Sequence, residues 1–219
     1  MVLRALKDTE NLFCDKISNT ATDIVLLYPK SSESFMILMA DFRGILGTVC
    51  QCLIHDWYDG IQWNRVAEIG GSDWFAEMLN RGARVIWIDT PTTRSLIKRR
   101  FKTDFSVKSS EQHNFVEISD FRDIVFPTIF TLAKRNVDAS MIQQRKHFIV
   151  RLKGFDNFEN EDDPFGDLSS HKRYLMPLDL SSLCSDLAIV KLNVITPIMS
   201  REEDLIKQHL YRVERDFFE

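Results

Sequence analysis

Three short, continuous apolar runs constrain the fold of this chain more than any other feature of its sequence. They span Asp23–Tyr28, Arg84–Asp89 and His147–Leu152, and prolines follow the first two runs closely, at Pro29 and Pro91. A strand that is apolar on both of its faces is typical of a parallel sheet covered by helices on both sides. The sequence therefore predicts a buried parallel sheet.

Two weaker apolar segments, Cys52–Asp56 and Arg173–Leu178, are interpreted as the second and fifth strands. Amphipathic stretches separate the five segments, so strands and helices alternate along the chain. This alternation predicts an α/β fold with a doubly wound, five-stranded parallel sheet of the flavodoxin-like type. Arg201–Phe218 carries apolar residues at helical spacing and predicts an additional C-terminal helix. Residues 1–22 are interpreted as a lead-in segment, and residues 23–219 as a single domain.

The segments between the strands predict the following helices. Ser31–Glu33 starts an amphipathic helix that ends near Gly47, and a second helix passes through Trp74 to Gly82 with Ser72 as its N-cap. Two more helices are predicted at Phe115–Ala133, where Pro127 kinks or ends a segment, and at Leu180–Val190. Thr92–Glu111 is basic and rich in Ser and Thr, and is interpreted as an insertion or exposed loop with some helix.

Composition excludes several classes of protein. The 219 residues include 28 Lys and Arg against 32 Asp and Glu, a net charge of −4, whereas nucleic-acid-binding domains usually carry a cationic excess. No apolar run approaches the roughly 20 residues that a membrane span needs, and Met1–Glu10 is too polar for a signal peptide. We therefore expect this chain to be soluble. The four cysteines show no spacing typical of a metal site, and we expect a reducing compartment without disulfides or bound metal.

Motifs for small-molecule chemistry are missing from the sequence. There is no GxGxxG motif, no P-loop and no GxSxG motif, and the loop Tyr28–Glu33 contains no glycine to cradle a phosphate. His55 and Asp56 are neighbours in a strand, so their side chains point to opposite faces, and His55 is interpreted as a buried or edge histidine. Asp56, Asp59 and Asp89 at strand ends are interpreted as turn and cap residues. We expect no cofactor.

Aromatic and charged residues near the strand ends favour a protein-binding surface. Trp57 and Tyr58 lie in a loop beside Asp59 and Gly60, where burial is difficult, whereas Trp74 is expected to pack its helix on the sheet. A basic stretch at Lys98–Lys102 and an acidic one at Glu159–Asp163 make the chain electrostatically two-sided. The alternative is that these charged residues form solvated faces. The candidate interaction residues are Trp57, Asp59, Trp63, Arg94, Lys98, Arg99, Arg100, Asp120 and Phe121.

The order and spacing of these segments, over residues 23–219, resemble a SEFIR domain. The first strand and its helix, followed by a strand ending in Asp56-Trp57, are similar to the opening of that family, although Pro29 replaces the usual Ser. The other segments that resemble the family are Ser72–Phe75, Arg84–Ile88, His147–Arg151, Arg173–Met176, Leu183-Cys184 and Asp216–Glu219.

The resemblance implies a TIR-like fold and a function in intracellular signalling. SEFIR domains bind other SEFIR domains, so the resemblance implies recruitment of a SEFIR-containing adaptor by the cytoplasmic tail of an interleukin-17 receptor-like protein. Residues Thr92–Arg135 match the region that takes part in contacts in receptor members. The full-length protein would then be anchored in the plasma membrane outside this chain, and homo- or hetero-oligomers are expected.

Three other functions compete with this hypothesis. One is the SEFIR domain of the adaptor itself. Another is a TIR-like NAD hydrolase, whose glutamate would be Glu77 or Glu117. The third is a response-regulator-like domain, which needs an acidic cluster after the first strand and a lysine after the fifth. Tyr28-Pro29 and Leu178 occupy those positions and disfavour it.

Overall fold

The protein forms a parallel sheet of five strands, in a computed structural model that describes residues 23–102, 120–155, 163–188 and 196–218. The strands lie in the order β2-β1-β3-β4-β5, and every neighbouring pair is parallel. Their bounds are β1 Asp23–Leu27, β2 Leu53–Asp56, β3 Arg84–Asp89, β4 His147–Leu152 and β5 Arg173–Met176. The predicted fold class is confirmed.

Eight helices are described, and they connect or follow the strands. They are α1 Glu33–Cys50, α2 Gly60–Ile69, α3 Gly71–Asn80, α4 Pro91–Lys102, α5 Phe121–Ala139, α6 Met141–Gln144, α7 Leu180–Leu187 and α8 Thr196–Phe218. The predicted C-terminal helix is present as α8, although it begins before Arg201. None of these described helices combines the length and apolarity needed to cross a bilayer.

Helices cover the sheet on both faces, and the strands show why. Alternate residues of a strand point to opposite faces. Ile24 and Leu26 accordingly join one core cluster, with α1, α7 and α8, whereas Val25 and Leu27 join the other, with α3, α4 and α5. Because both faces of β1 are apolar and both are covered, the continuous apolar run found in the sequence is explained.

Several helices differ from the predictions. Helix α1 ends at Cys50 rather than near Gly47, and α5 ends at Ala139 rather than at Ala133. Helix α2 was not predicted from the sequence. Among its described positions Val66 is the one fully buried side chain, so the apolar periodicity that would indicate this helix is weak.

The prediction of Ser72 as an N-cap is wrong, since Gly70 caps α3 with a φ of 85° and no side-chain bond. Ser72 lies inside the helix, and a Cβ on the neighbouring Gly71 would lie 3.1 Å from Val125 of α5. The close approach of α5 therefore sets the start of α3.

The segment between β3 and β4 is more helical than the sequence predicted. Its first part is α4, in which Thr93, Leu96 and Ile97 are buried, so the prediction of an exposed loop is wrong there. Helix α5 continues through Pro127, whose carbonyl oxygen accepts a hydrogen bond from the Thr131 hydroxyl at 2.9 Å. Residues 103–119 and the lead-in segment 1–22 lie outside the described ranges.

Candidate protein-interaction surface

The crevice at the carboxyl ends of β1 and β3 is where a ligand would bind in a sheet of this strand order. Ser31 and Phe35, after β1, meet Thr90 and Pro91, after β3. A cavity of about 10 Å³ remains there. It is lined by these four residues together with Thr92, Leu152, Phe155 and Val213. That is room for about one water molecule. In the described part of the chain, the crevice is therefore filled by side chains.

A buried hydrogen-bonded pair joins the ends of β1 and β2. The Tyr28 hydroxyl donates to Asp56 Oδ2 at 2.7 Å, and the Tyr58 amide donates to Asp56 Oδ1 at 2.9 Å. Burial raises the pKa of Asp56 although Arg43 lies 3.6 Å away. The second of these bonds is the turn role predicted for Asp56, and the first adds a role inside the core.

A second carboxylate attaches α5 to the same loops. Asp123 Oδ1 accepts hydrogen bonds from the Lys30 amide at 3.0 Å and from the Tyr58 hydroxyl at 3.1 Å. The rings of Tyr28 and Tyr58 stack with their centroids 5.0 Å apart. Burial raises the pKa of Asp123. The first turn of α5 is thus held firmly at the carboxyl edge of the sheet.

Arg122 organises the surface above this network. Its guanidinium lies 4.0 Å from the Tyr58 ring centroid and 4.7 Å from that of Trp63, within the range of cation–π attraction. It donates to both carboxylate oxygens of Asp120, at 2.7 and 2.6 Å, and to the Trp57 carbonyl at 3.1 Å. The arginine is therefore fixed in one orientation, and its bond to Asp120 lowers the pKa of that carboxyl.

Two large apolar side chains lie exposed in the first turn of α5, the turn that carries Arg122. Phe121 is 52% exposed and Ile124 is 60% exposed. Trp63, Phe121, Arg122 and Ile124 are named the α5 patch. It combines apolar area, a rigid guanidinium and a half-buried aromatic ring, the residue types that are enriched in protein interfaces.

Trp57 does not belong to this surface, and its predicted exposure is wrong. Its side chain is fully buried and stacks on Trp74 with centroids 6.5 Å apart, while its indole N–H donates to the Tyr28 carbonyl at 3.3 Å. Phe126 of α5 covers another side of the ring. Trp57 is buried because α5, distant in sequence, packs over its ring.

The remaining candidates near the patch have ordinary local partners. Asp59 forms an ion pair with Arg43 at 3.3 Å, and Asp120 caps α5 by accepting from the Arg122 amide at 2.9 Å. Trp63 is half-buried beneath Arg122. Of the predicted interaction residues, Trp63 and Asp120 contact Arg122, and Phe121 is exposed in the same helical turn.

Arg94 is buried, so the prediction that it belongs to a basic surface is wrong. It is 2% exposed and forms a two-pronged ion pair with Asp89, with Nε 2.7 Å and Nη2 2.8 Å from the carboxylate oxygens. Arg151 of β4 also donates to Asp89, at 3.0 Å. Asp89 is thus the centre of a buried ionic network rather than a turn or cap residue.

Asp163 extends that network. The interpretation of the acidic stretch Glu159–Asp163 as solvated is therefore wrong for Asp163. Its carboxylate accepts from Arg173 at 2.9 Å and lies 3.5 Å from Arg151. Lys98 is half-buried in α4, while the side chains of Arg99 and Arg100 lie outside the described residues. A role for these three basic residues in binding stays a prediction.

Arg122 and Ile124 were missed by sequence reasoning, although a signal was present. The buried stripe of α5 runs through Phe126, Ile129 and Phe130 at helical spacing. Ile124 falls outside that stripe, and an apolar residue on the polar side of a helix indicates a surface contact. Nothing in the local sequence indicates that Arg122 stacks on a ring from α2.

The residues proposed for other chemistry are placed as follows. Glu77 forms an ion pair with Arg65 at 3.1 Å on the outside of α3, and Glu117 lies outside the described ranges. His55 is buried, with its Nε2 atom 3.1 Å from Asp23. Burial raises the pKa of Cys52 to about 11, which keeps this thiol protonated and weakly nucleophilic at neutral pH.

Comparisons with known proteins give a match in structure. No protein-family model matches the sequence, and no curated protein matches it significantly. Among solved structures, the chain is similar to the crystal structure of the interleukin-17 receptor B SEFIR domain, with a TM-score of 0.49 and 18% sequence identity. The match covers 76% of this chain and 94% of that one. It comes from the family that the sequence resembles, and at this similarity it assigns no function by itself.

Proposed function

We propose that this chain is a SEFIR-like protein-interaction module that binds other SEFIR domains through the α5 patch. In this proposal it is the cytoplasmic part of an interleukin-17 receptor-like protein, and its partner is a SEFIR-containing adaptor. The observation that carries the proposal is the exposure of Phe121 and Ile124 beside the rigid Arg122.

The geometry of the patch supports binding to a protein surface. Arg122 is held by Asp120 and by two aromatic rings, so little side-chain entropy is lost when a partner covers it. Phe121 and Ile124 supply apolar area that a partner would remove from water. Together they resemble the apolar, arginine-containing centre of a protein interface.

The crowded sheet edge favours binding over catalysis. A dinucleotide needs a cleft of several hundred Å³, whereas the described residues at the crevice of β1 and β3 leave about 10 Å³ between them. We therefore propose that the chain acts without an enzymatic step of its own. NAD hydrolysis is tested by incubating the chain with NAD and measuring nicotinamide release. Release that disappears in Glu77→Ala would contradict the proposal.

The binding proposal is tested by calorimetric titration of the chain with the SEFIR domain of an adaptor. We expect saturable binding for the unchanged chain, and a loss of at least about tenfold in affinity for Phe121→Ser combined with Ile124→Ser. Both side chains are exposed, so the fold should be retained, which circular dichroism checks.

The matched control is Met141→Ser combined with Ile142→Ser. These residues are also large, apolar and exposed, and they precede β4, at the opposite end of the sheet from the patch. We expect the control to bind as the unchanged chain does. Equal affinities for both double variants would show that the α5 patch is not the binding surface.

A further inference from the structure

A groove lies on the opposite face of the sheet from the α5 patch, where the turn after β5 meets α8. It has a volume of about 240 Å³. It is lined by Lys153, Pro177, Leu178, Lys207, Leu210, Tyr211 and Glu214. Small-molecule sites usually measure about 300–1,000 Å³, so this groove has the size for one or two side chains of a peptide.

Two walls of the groove are apolar and exposed. Leu178 is 63% exposed and Tyr211 is 71% exposed, the second highest fraction among the large apolar residues described. Asp179 holds the turn that presents Leu178, because its carboxylate accepts from the Leu175 amide at 2.9 Å and its own amide donates back at 2.8 Å. The apolar walls are therefore pre-formed rather than collapsed onto the core.

The end of β4 approaches α8 closely beside the groove. A Cβ on Gly154, which has a φ of +92°, would clash with the Glu214 side chain. The Glu214 side chain therefore lies directly against the backbone of this turn. This contact places the Glu214 carboxylate among the residues that line the groove.

Basic side chains surround Tyr211. Lys207 forms an exposed ion pair with Asp204 at 2.9 Å. Lys153 and Arg212, by contrast, have no carboxylate within 4.0 Å in the described part of the chain. Tyr211 also borders a shallower hollow that includes Lys207, Gln208 and Arg212. The rim thus carries three cations, Lys153, Lys207 and Arg212, against two carboxylates, those of Glu214 and of the Lys207 partner Asp204. The remaining cationic excess can attract an acidic partner.

We propose that this groove binds an acidic peptide segment that carries one large apolar side chain. The apolar side chain enters between Leu178 and Tyr211, and the flanking carboxylates contact Lys153, Lys207 and Arg212. The groove is a concavity of about 240 Å³, which favours a single peptide side chain over a membrane surface as its occupant. Since the groove and the α5 patch lie on opposite faces, one molecule can hold two partners at once.

The proposal is tested by NMR titration of the chain with three capped peptides, Glu-Glu-Phe-Glu-Glu, Glu-Glu-Ser-Glu-Glu and Lys-Lys-Phe-Lys-Lys. We expect the first to shift the amide signals of Leu178, Lys207 and Tyr211 in a saturable way. The serine peptide should bind at least about fivefold more weakly, because the apolar contact is lost. The lysine peptide should leave these signals unchanged.

Two variants connect the shifts to the groove. Tyr211→Glu and Lys153→Glu should each weaken binding of the phenylalanine peptide by about fivefold or more. The matched control is Arg145→Glu, which makes the same charge change at an exposed position before β4, whereas Lys153 follows that strand. Arg145→Glu should bind as the unchanged chain does.

Several results would overturn the proposal. It is wrong if the phenylalanine and lysine peptides bind equally, if the shifts map elsewhere, or if Tyr211→Glu leaves the affinity unchanged. A membrane surface is the occupant instead if vesicles containing phosphatidylserine bind in a Lys153-dependent way while the peptide does not. Because the variants leave the α5 patch intact, these outcomes are separate from the test of adaptor binding.

Discussion

Trp57 and Trp63 are close together in the sequence, but their side chains lie in different environments. Trp57 is enclosed by Trp74 and Phe126, whereas Trp63 is half-buried under the Arg122 guanidinium. The same residue type therefore contributes to the core at one position and to the surface at the other. Sequence reasoning treated both as surface residues, because burial of Trp57 depends on contacts with a helix that begins at Phe121.

We predict that the two tryptophans contribute very differently to stability. Trp57→Ala removes a fully buried ring and should lower the free energy of unfolding by about 3–5 kcal/mol. Trp63→Ala should lower it less, by about 1–2 kcal/mol, since this half-buried ring packs only in part against the core and otherwise contacts Arg122. Urea unfolding followed by circular dichroism measures both. Equal losses would contradict the assignment of one ring to the core and the other to the surface.

Asp123 predicts a dependence of stability on pH. Burial raises the pKa of its carboxyl in the folded state, so the folded protein holds this proton more tightly than the unfolded chain. The stabilisation from that proton is complete below the ordinary aspartate pKa of about 3.9 and is lost as the pH rises through the folded-state pKa.

Asp123→Asn isolates this effect. Both hydrogen bonds at Asp123 go to one oxygen, Oδ1, which an asparagine can supply without ionising. We expect the unchanged protein to lose stability relative to Asp123→Asn as the pH rises from about 4 to 7. Urea unfolding across this range measures the difference. A difference that stays constant, or that grows in favour of the unchanged protein, would contradict the account.

At the scale of the elements, one carboxylate joins β3, α4 and β4. Asp89 ends β3, and it pairs with Arg94 of α4 and with Arg151 of β4. Because Asp89 and Arg94 are both almost fully buried, neither charge can be solvated by water if its partner is removed. This network anchors the start of the β3–β4 connection to the sheet.

We predict that Asp89→Ala lowers the free energy of unfolding by about 3–5 kcal/mol, because it leaves Arg94 charged and buried. Asp204→Ala breaks an exposed pair with Lys207 and serves as the matched control, with little or no expected loss of stability. Chemical denaturation compares the two variants. Similar small losses in both would show that the Asp89 network does not hold the elements together.

A helix or strand was predictable from the sequence where it buries a continuous stripe or run of apolar residues. The bounds of β3 and β4 agree with the predictions because the central residues of these strands are apolar on both faces. Helix α2 was missed because few of its side chains are buried, and the burial of Arg94 was missed because its partners come from other elements. The features that the sequence did not predict depend on contacts between residues that are distant in sequence.

At the scale of the whole molecule, the sheet separates two surfaces of different chemistry. The α5 patch lies with the helices of one face, and the groove at Leu178 and Tyr211 lies with those of the other. The net charge of −4 is thus compatible with a local cationic rim around Tyr211. In our two proposals, each of these surfaces binds a different partner.

The most direct test of the central claim is an NMR cross-saturation measurement on the complex of this chain with an adaptor SEFIR domain. Irradiating the partner should reduce the signals of Trp63, Phe121, Arg122 and Ile124, while signals from the Leu178–Tyr211 groove keep their intensity. Unreduced signals across the α5 patch, with reduction on another face of the molecule, would contradict the account.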